Sequence, residues 1–414
     1  MLQAQSKQPW SIFLLHPSDY LTDHEPHGDG LVAFGFIKEL ARRGHRLHVA
    51  ARNISLCSKL PENVTLHLLP RRIRVGLLDR LEYMVRARML FQRLQRTESI
   101  QLIHQMNPVF AGLSLAMAGA GVPLVLGTIV PRWPKDPDAI AERHPFAGKF
   151  LTAAKDFIVA LQQKHATLLL LTSHAAENRL PNPDEVREKV MFVPHGIDTQ
   201  LFSPATVKRV NAPPVILYLA NLQKRKGIYT LIESFSEVVK TIPRCRLRIV
   251  GTGPEAASVS RYVNTFACRG QIDFIGSVPR EKVVDHLRDC SVYCLPSYGE
   301  PYGMTVAEAM SCGVPVVATD AGGIPHMVPE GGGRLVRPGD AKQLASTLIE
   351  VLSDESLQRS MGEVNRQHAV NSLSWGHAGD RLELGYRTAF SRYNAPQSSH
   401  VRAITDHSAG EVPQ

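Results

Sequence analysis

Apolar positions in the first half of the chain fall alternately into short unbroken runs and longer stretches with helical spacing. Ser11–Leu15 predicts a buried strand. From Leu31 to Arg43, Val32, Phe36, Ile37 and Leu40 recur on one side, which predicts a helix, and Gly44 stands where a C-cap glycine belongs. Arg46–Ala51, Leu102–His104, Pro123–Leu126 and Leu168–Thr172 predict further strands, with a helix from about Val109 to Ala120. Strand–helix–strand order with apolar strands implies a parallel sheet covered on both faces. A polar stretch, Ser203–Pro214, reads as a linker. The pattern then restarts with a strand at Pro214–Leu219 and a helix at Gly227–Thr241, whose Leu231, Phe235 and Val238 share a face. Strands follow at Arg246–Val250, Gln271–Ile275, Val292–Leu295 and Val314–Ala318. The fold class is therefore α/β, two Rossmann-like units in tandem, residues 1–205 and 206–375. The polar segment from Asn394 is expected to be disordered.

Length agrees with two domains, since 414 residues are more than one domain of ordinary size. No apolar run approaches the roughly 18–20 residues of a membrane-spanning helix, and Trp10–Leu15 is too short for a signal-peptide core. Six cysteines without a CxxC pair point to a reducing cytoplasm. The net charge of +9 favours anionic surfaces. Its densest segment is Pro70–Thr97, with eight arginines against Asp79 and Glu82, and Leu77, Leu81, Met84, Met89 and Leu94 between them. Such a segment is either a helix packed by one apolar stripe or a basic amphipathic helix on an anionic bilayer. Changing Arg86, Arg88 and Arg93 together is the natural test of the second reading. Nucleic acid is not expected as a partner.

The chemistry concentrates between Ser297 and Gly323, SYGEPYGMTVAEAMSCGVPVVATDAGG. This segment follows a strand, and Gly303 opens a short helix, so the N–H groups of Gly303, Met304 and Thr305 face the carboxyl edge of a parallel sheet, where such folds bind phosphate. Glu308 lies one turn along, matching the step from a diphosphate to its ribose. Glu300 precedes the helix, on the side where a sugar would sit. A carboxylate accepts two hydroxyl hydrogen bonds at once, as recognition of a diol requires.

This segment resembles the signature of glycosyltransferase family 4, whose two glutamates match Glu300 and Glu308. Other stretches resemble the family in order. They are the GDGL glycine loop with Gly28 and Gly30, the hinge VPHGIDTQLF at Val193–Phe202, and NLQKRKGIYTLIESF at Asn221–Phe235. FIGSVP, Phe274–Pro279, matches the nucleobase-side loop and includes Val278; Ser372–Tyr386 matches the closing helices. The resemblance implies a GT-B fold and a nucleotide-diphosphate sugar as donor. It also implies transfer with retention, an acceptor held by the first domain, and no metal. A final helix at about 376–393 would cross back to the first domain. Lys226 matches the family's phosphate-binding lysine. Two departures stand out. Asn221 occupies the place of a phosphate-binding arginine, so either Lys224 or Arg225 supplies its charge or the donor is held more weakly. Gly127–Thr128 stands where many members carry a histidine, which leaves His104 as the expected catalytic substitute.

Other chemistries fit less well. His24, Glu25 and His27 sit in one loop and match metal-ligand geometry poorly. Gly251, Gly253 and Ala256 formally fit a dinucleotide fingerprint, but Pro254 interrupts its helix start and Asp273 lies inside its strand pattern. A sugar-nucleotide epimerase, a phosphorylase or a nonenzymatic nucleotide-sugar-binding protein would share the architecture.

Overall fold

The computed structural model describes residues 9–17, 20–25, 28–73, 76–106, 112–129, 146–177, 180–206 and 212–395. His27, Arg74, Val109 and nearly all of the polar tail lie outside them. The first sheet holds β1 (Ser11–His16), β2 (Arg46–Ala51), β3 (Val64–Leu68), β4 (Leu102–Gln105), β5 (Leu124–Ile129), β6 (Leu168–Leu171) and β7 (Val190–Phe192), in the order β3-β2-β1-β4-β5-β6-β7. The second holds β8 (Val215–Leu219), β9 (Arg246–Val250), β10 (Ile272–Gly276), β11 (Val292–Leu295), β12 (Val316–Thr319) and β13 (Gly333–Val336), in the order β10-β9-β8-β11-β12-β13. Neighbouring strands run parallel in both. Strand order reverses between β1 and β4 and again between β8 and β11. Those are the switch points where loops part and leave a crevice at the carboxyl edge.

Helices α1 (Gly28–Arg42), α2 (Gly76–Thr97) and α3 (Phe146–His165) belong to the first unit. In the second are α4 (Ile228–Thr241), α5 (Ala256–Val263), α6 (Arg280–Arg288), α7 (Met304–Ser311), α8 (Ala341–Ser353) and α9 (Glu355–Ser372). Of the helix expected up to Ala120, the described part is a tight turn at Leu113–Met117.

The last helix, α10 (Trp375–Asn394), returns to the first domain and puts Ala378, Leu382, Tyr386 and Ala389 into its core. Polar contacts fix its rotation. Arg43 Nη1 reaches Asp380 at 2.7 Å, Arg43 Nη2 donates to the Gly376 carbonyl at 2.6 Å, and His45 Nε2 lies 3.2 Å from Glu383.

The apolar residues of α2 divide between two faces, which corrects the single stripe expected. Tyr83, Ala87, Phe91 and Leu94 are buried at helical spacing, and a buried side chain of this size stabilises by about 1.5–3 kcal/mol. Leu78, Leu81, Val85 and Met89 point outward and are 45–63% exposed. The inner face is enough to hold the helix, so folding does not account for the outer one. Arg86 is committed to Glu82 and the Pro70 carbonyl, and Arg88 donates to the Ala116 carbonyl, so neither projects freely from the surface.

The carboxyl edges of the two sheets meet. Ser173, just after β6, donates from Oγ to the Pro301 carbonyl at 3.0 Å. The Tyr302 hydroxyl donates to the His195 carbonyl at 2.8 Å, and His195 Nε2 pairs with Thr128 Oγ1 at 2.7 Å.

His104 is 1% exposed, with Nδ1 2.7 Å from the Tyr386 hydroxyl and Nε2 2.5 Å from the Gly127 carbonyl. Burial pushes its ring down to about 4, against a smaller opposing pull from that carbonyl, and pushes the His195 ring down to about 3. Unfolded histidines protonate near 6.5, so below that pH the unfolded chain binds more protons than the folded one. The stability that these neutral rings carry is complete above about pH 6.5 and is lost as pH falls towards 4. The urea midpoint is therefore expected to drop between pH 7 and pH 4.5, with a shallower drop in His104→Gln. An identical slope in that variant would remove His104 from the account.

Candidate active site

The loops after β8 and β11 leave from the second switch point, which brings residues 74 positions apart into contact. After β8 a tight turn, Lys224–Lys226, ends at Gly227, whose φ of +72° starts α4. A Cβ there would lie 1.8 Å from the Pro296 carbonyl oxygen, so the close approach of the two loops requires glycine. After β11 the chain runs through Glu300 to Gly303, which caps α7 at φ +95°. Lys226 Nζ forms an ion pair with Glu300 Oε2. Both groups are largely withdrawn from water, at 14% and 10% side-chain exposure. Arg225 is half-buried, and its Nη1 donates to the Gly299 carbonyl at 3.2 Å, bracing the loop that carries Glu300. Asn221, at the end of β8, is exposed.

Glu308 lies one turn into α7 and is 2% exposed. Burial raises its carboxyl above the usual range, and the adjacent Arg280 opposes the rise. Arg280 Nη2 is 2.8 Å from Glu308 Oε1, yet that oxygen accepts no aligned hydrogen bond. Thr305 Oγ1 contacts the Tyr293 hydroxyl at 2.6 Å, which ties the first turn of α7 to β11. Met304 packs against the second core, and so does Val278, in the loop between β10 and α6.

Gly28 and Gly30 open α1 at the carboxyl edge of the first sheet, with Gly30 close against the Tyr20 carbonyl. His104 is a correction. With both ring nitrogens engaged and the ring sealed under α10, it ties the returning helix to the first sheet instead of facing the cleft. Asp273 is the second residue of β10 and pairs with Arg246 at 2.5 Å, away from the strand end where a dinucleotide's ribose would sit.

Sequence reasoning missed Arg280, 28 positions before its partner, since no periodicity links residues brought together by two helix starts. It also missed an interdomain cavity of about 750 Å³ lined by His174, Asp320, Gly322 and His326. Gly322 packs on the backbone of Glu300, which sets this space beside the site.

The fold and site define a class. The crystal structure of Anabaena HepE in complex with UDP superposes with a TM-score of 0.71 at 18% identity, over 91% of this chain and all of that one. The architecture is GT-B, two Rossmann-like domains facing each other. A family model for group 1 glycosyl transferases matches residues 202–368, and one for glycosyltransferase family 4 matches residues 28–201. The chain belongs to this glycosyltransferase family. The GDP-mannose-dependent monoacylated alpha-(1-6)-phosphatidylinositol monomannoside mannosyltransferase of Corynebacterium glutamicum is 30% identical over 207 residues, 46% of this chain and 54% of that enzyme, so the match spans about half its length. The N-acetyl-alpha-D-glucosaminyl L-malate synthase of Bacillus anthracis is 23% identical over 82% of this chain and 88% of that one.

Removing one partner of a buried ion pair strands the other charge. Arg280→Ala is therefore expected to lower the unfolding free energy by about 3 kcal/mol, read from urea denaturation at pH 7. Adding Glu308→Gln should recover part of the loss, because the stranded charge is gone. A double variant less stable than the single one would contradict this account.

Proposed function

We propose that the chain transfers a sugar from a nucleotide-diphosphate sugar to an acceptor hydroxyl, with retention of configuration and without a divalent ion. The observation that carries the reading is the arrangement at the second switch point. A buried carboxylate, Glu308, paired among the described residues only with Arg280, lies one turn above a helix N-terminus. Below it, Lys226 and Glu300 meet. Glu308 takes the ribose hydroxyls. The N–H groups at Gly303, Met304 and Thr305 take the diphosphate together with Lys226, and Val278 lies on the nucleobase side. Entry of the phosphates draws Lys226 away from Glu300, which turns to the sugar. As the bond to the diphosphate breaks and the acceptor hydroxyl bonds to the sugar, giving its proton to the departing phosphate, Lys226 and the α7 N-terminus hold the developing charge, a preorganised electrostatic contribution that makes a metal unnecessary. Arg225 acts by bracing the Glu300 loop, so Asn221 leaves the diphosphate with less direct charge than the family pattern supplies. Gly28 and Gly30 line the facing edge of the cleft. UDP in the HepE structure and the GDP-mannose dependence of the Corynebacterium enzyme support a nucleotide-sugar donor.

Lys226→Ala is expected to slow transfer by on the order of 10²-fold or more with little effect on folding, the scale for removing one transition-state charge stabiliser. Transfer by the unaltered protein should survive excess EDTA in the same assay. Normal turnover in the variant, or loss with EDTA that Mg²⁺ or Mn²⁺ restores, would sink this donor site.

We assign the acceptor to the headgroup layer of an anionic membrane, reached by α2. Among the described residues no helix is long and apolar enough to cross a membrane. The outer face of α2 instead offers Leu78, Leu81, Val85 and Met89 next to exposed Arg93 and Arg96. Apolar insertion flanked by arginine is the chemistry of an interfacial helix, each arginine contributing on the order of 1 kcal/mol until salt screens it. Because Arg86 and Arg88 are engaged within the protein, the informative variant is Val85→Ser with Met89→Ser and Arg93→Gln. The unaltered protein should bind anionic and not neutral vesicles at low salt. The variant should be released and should still act on a short soluble acceptor. If the unaltered protein ignores anionic vesicles, α2 carries only a solvated face.

A further inference from the structure

The loops that follow β1 and β2 leave the carboxyl edge of the first sheet side by side. A short parallel ladder, Leu21–Thr22 on Ile54–Ser55, ties them together, and Leu21 N–H donates to the Asn53 carbonyl at 2.9 Å. Beyond the ladder, Asp23, His24 and Cys57 each present one ligand atom, all within 4.8 Å of one another. His24 Nδ1 is 3.0 Å from Asp23 Oδ1 and 3.4 Å from Cys57 Sγ. Zinc bonds of about 2.0 Å to nitrogen or oxygen and about 2.3 Å to sulfur give tetrahedral edges of about 3.3 and 3.5 Å, so both distances from His24 Nδ1 are near those of a zinc tetrahedron.

The surroundings resemble an outer shell. His24 Nε2 lies 3.4 Å from Glu25 Oε1, the carboxylate placement that fixes the tautomer of a ligating histidine. The Asp23 carboxylate accepts the Cys57 N–H at 2.9 Å, the Ser58 N–H at 2.8 Å and the Ser58 hydroxyl, so it is held in place while one lone pair turns to a metal. One thiolate, one imidazole and one carboxylate form a borderline-soft set that suits zinc better than magnesium or calcium.

We propose that Asp23, His24 and Cys57 form a zinc site, with water as the fourth ligand, that pins the two loops at the mouth of the first domain. Binding turns the Cys57 thiol into a thiolate and releases its proton to solvent. The site is separate from Lys226, Glu300 and Glu308, which lie in the other domain, so it takes no part in stabilising the leaving diphosphate. Sequence spacing directed attention to His24, Glu25 and His27 in one loop. The ligand set that the fold assembles draws Cys57 from another, 33 positions away.

The test loads the purified full chain with ZnCl₂, removes free metal by gel filtration and measures bound metal by mass spectrometry. The unaltered protein should retain one zinc per chain, and Cys57→Ser and His24→Gln should retain none. Glu25→Gln, which removes only the outer-shell carboxylate, should weaken binding by about 10–100-fold. Cobalt(II) in place of zinc should show a thiolate-to-metal charge-transfer band in the near ultraviolet that Cys57→Ser lacks. Of the cysteines, Cys57 is exposed and the others are buried or half-buried, so zinc should also slow iodoacetamide labelling at Cys57. Unaltered protein that retains no zinc, zinc retained in Cys57→Ser, or a cobalt spectrum without the thiolate band would each overturn the proposal.

Discussion

Burying two carboxylates at the carboxyl edge of one sheet is the constraint on which the rest of the site depends. Glu300 and Glu308 are 7% and 2% exposed, and an isolated buried carboxylate would take up a proton. Each has one basic partner from a loop that the fold brings alongside. Lys226 comes from the turn after β8, and Arg280 comes from the start of α6. The helix dipole of α7 adds partial positive charge from below. In the proposed reaction a dianionic diphosphate and its ribose would replace contacts that the protein now makes with itself.

That balance needs rigid loops, and the interdomain joint supplies part of the rigidity. The Tyr302 hydroxyl and the Pro301 carbonyl, in the segment between Glu300 and α7, bond to His195 and Ser173 of the other domain. The second half of the joint is α10. Its start sits beside the hinge, where Ile197 N–H donates to the Leu373 carbonyl at 2.8 Å, and its body completes the first core through Tyr386 and His104. The histidine sought for the cleft therefore works in the scaffold, and His195 lies nearer the interdomain contact.

The sequence by itself determined the two α/β units, because buried parallel strands must be apolar throughout and leave unbroken runs. It also determined the local geometry between Ser297 and Gly323, where the proposed donor site lies. A glycine-capped helix after a strand is local information, and so is the one-turn offset to Glu308. Edge strands were less legible. β3, β7 and β13 went unread because they are short and only partly buried, which erases the apolar run. Only the tertiary structure decided which charges meet. Lys226 and Glu300 touch because β8 and β11 are neighbours across a switch point, and Arg280 reaches Glu308 because two helix starts converge. The same holds for the faces of α2, where one strip of apolar side chains is covered by the sheet and the other is left outside. Composition lists both strips alike, and only packing tells them apart.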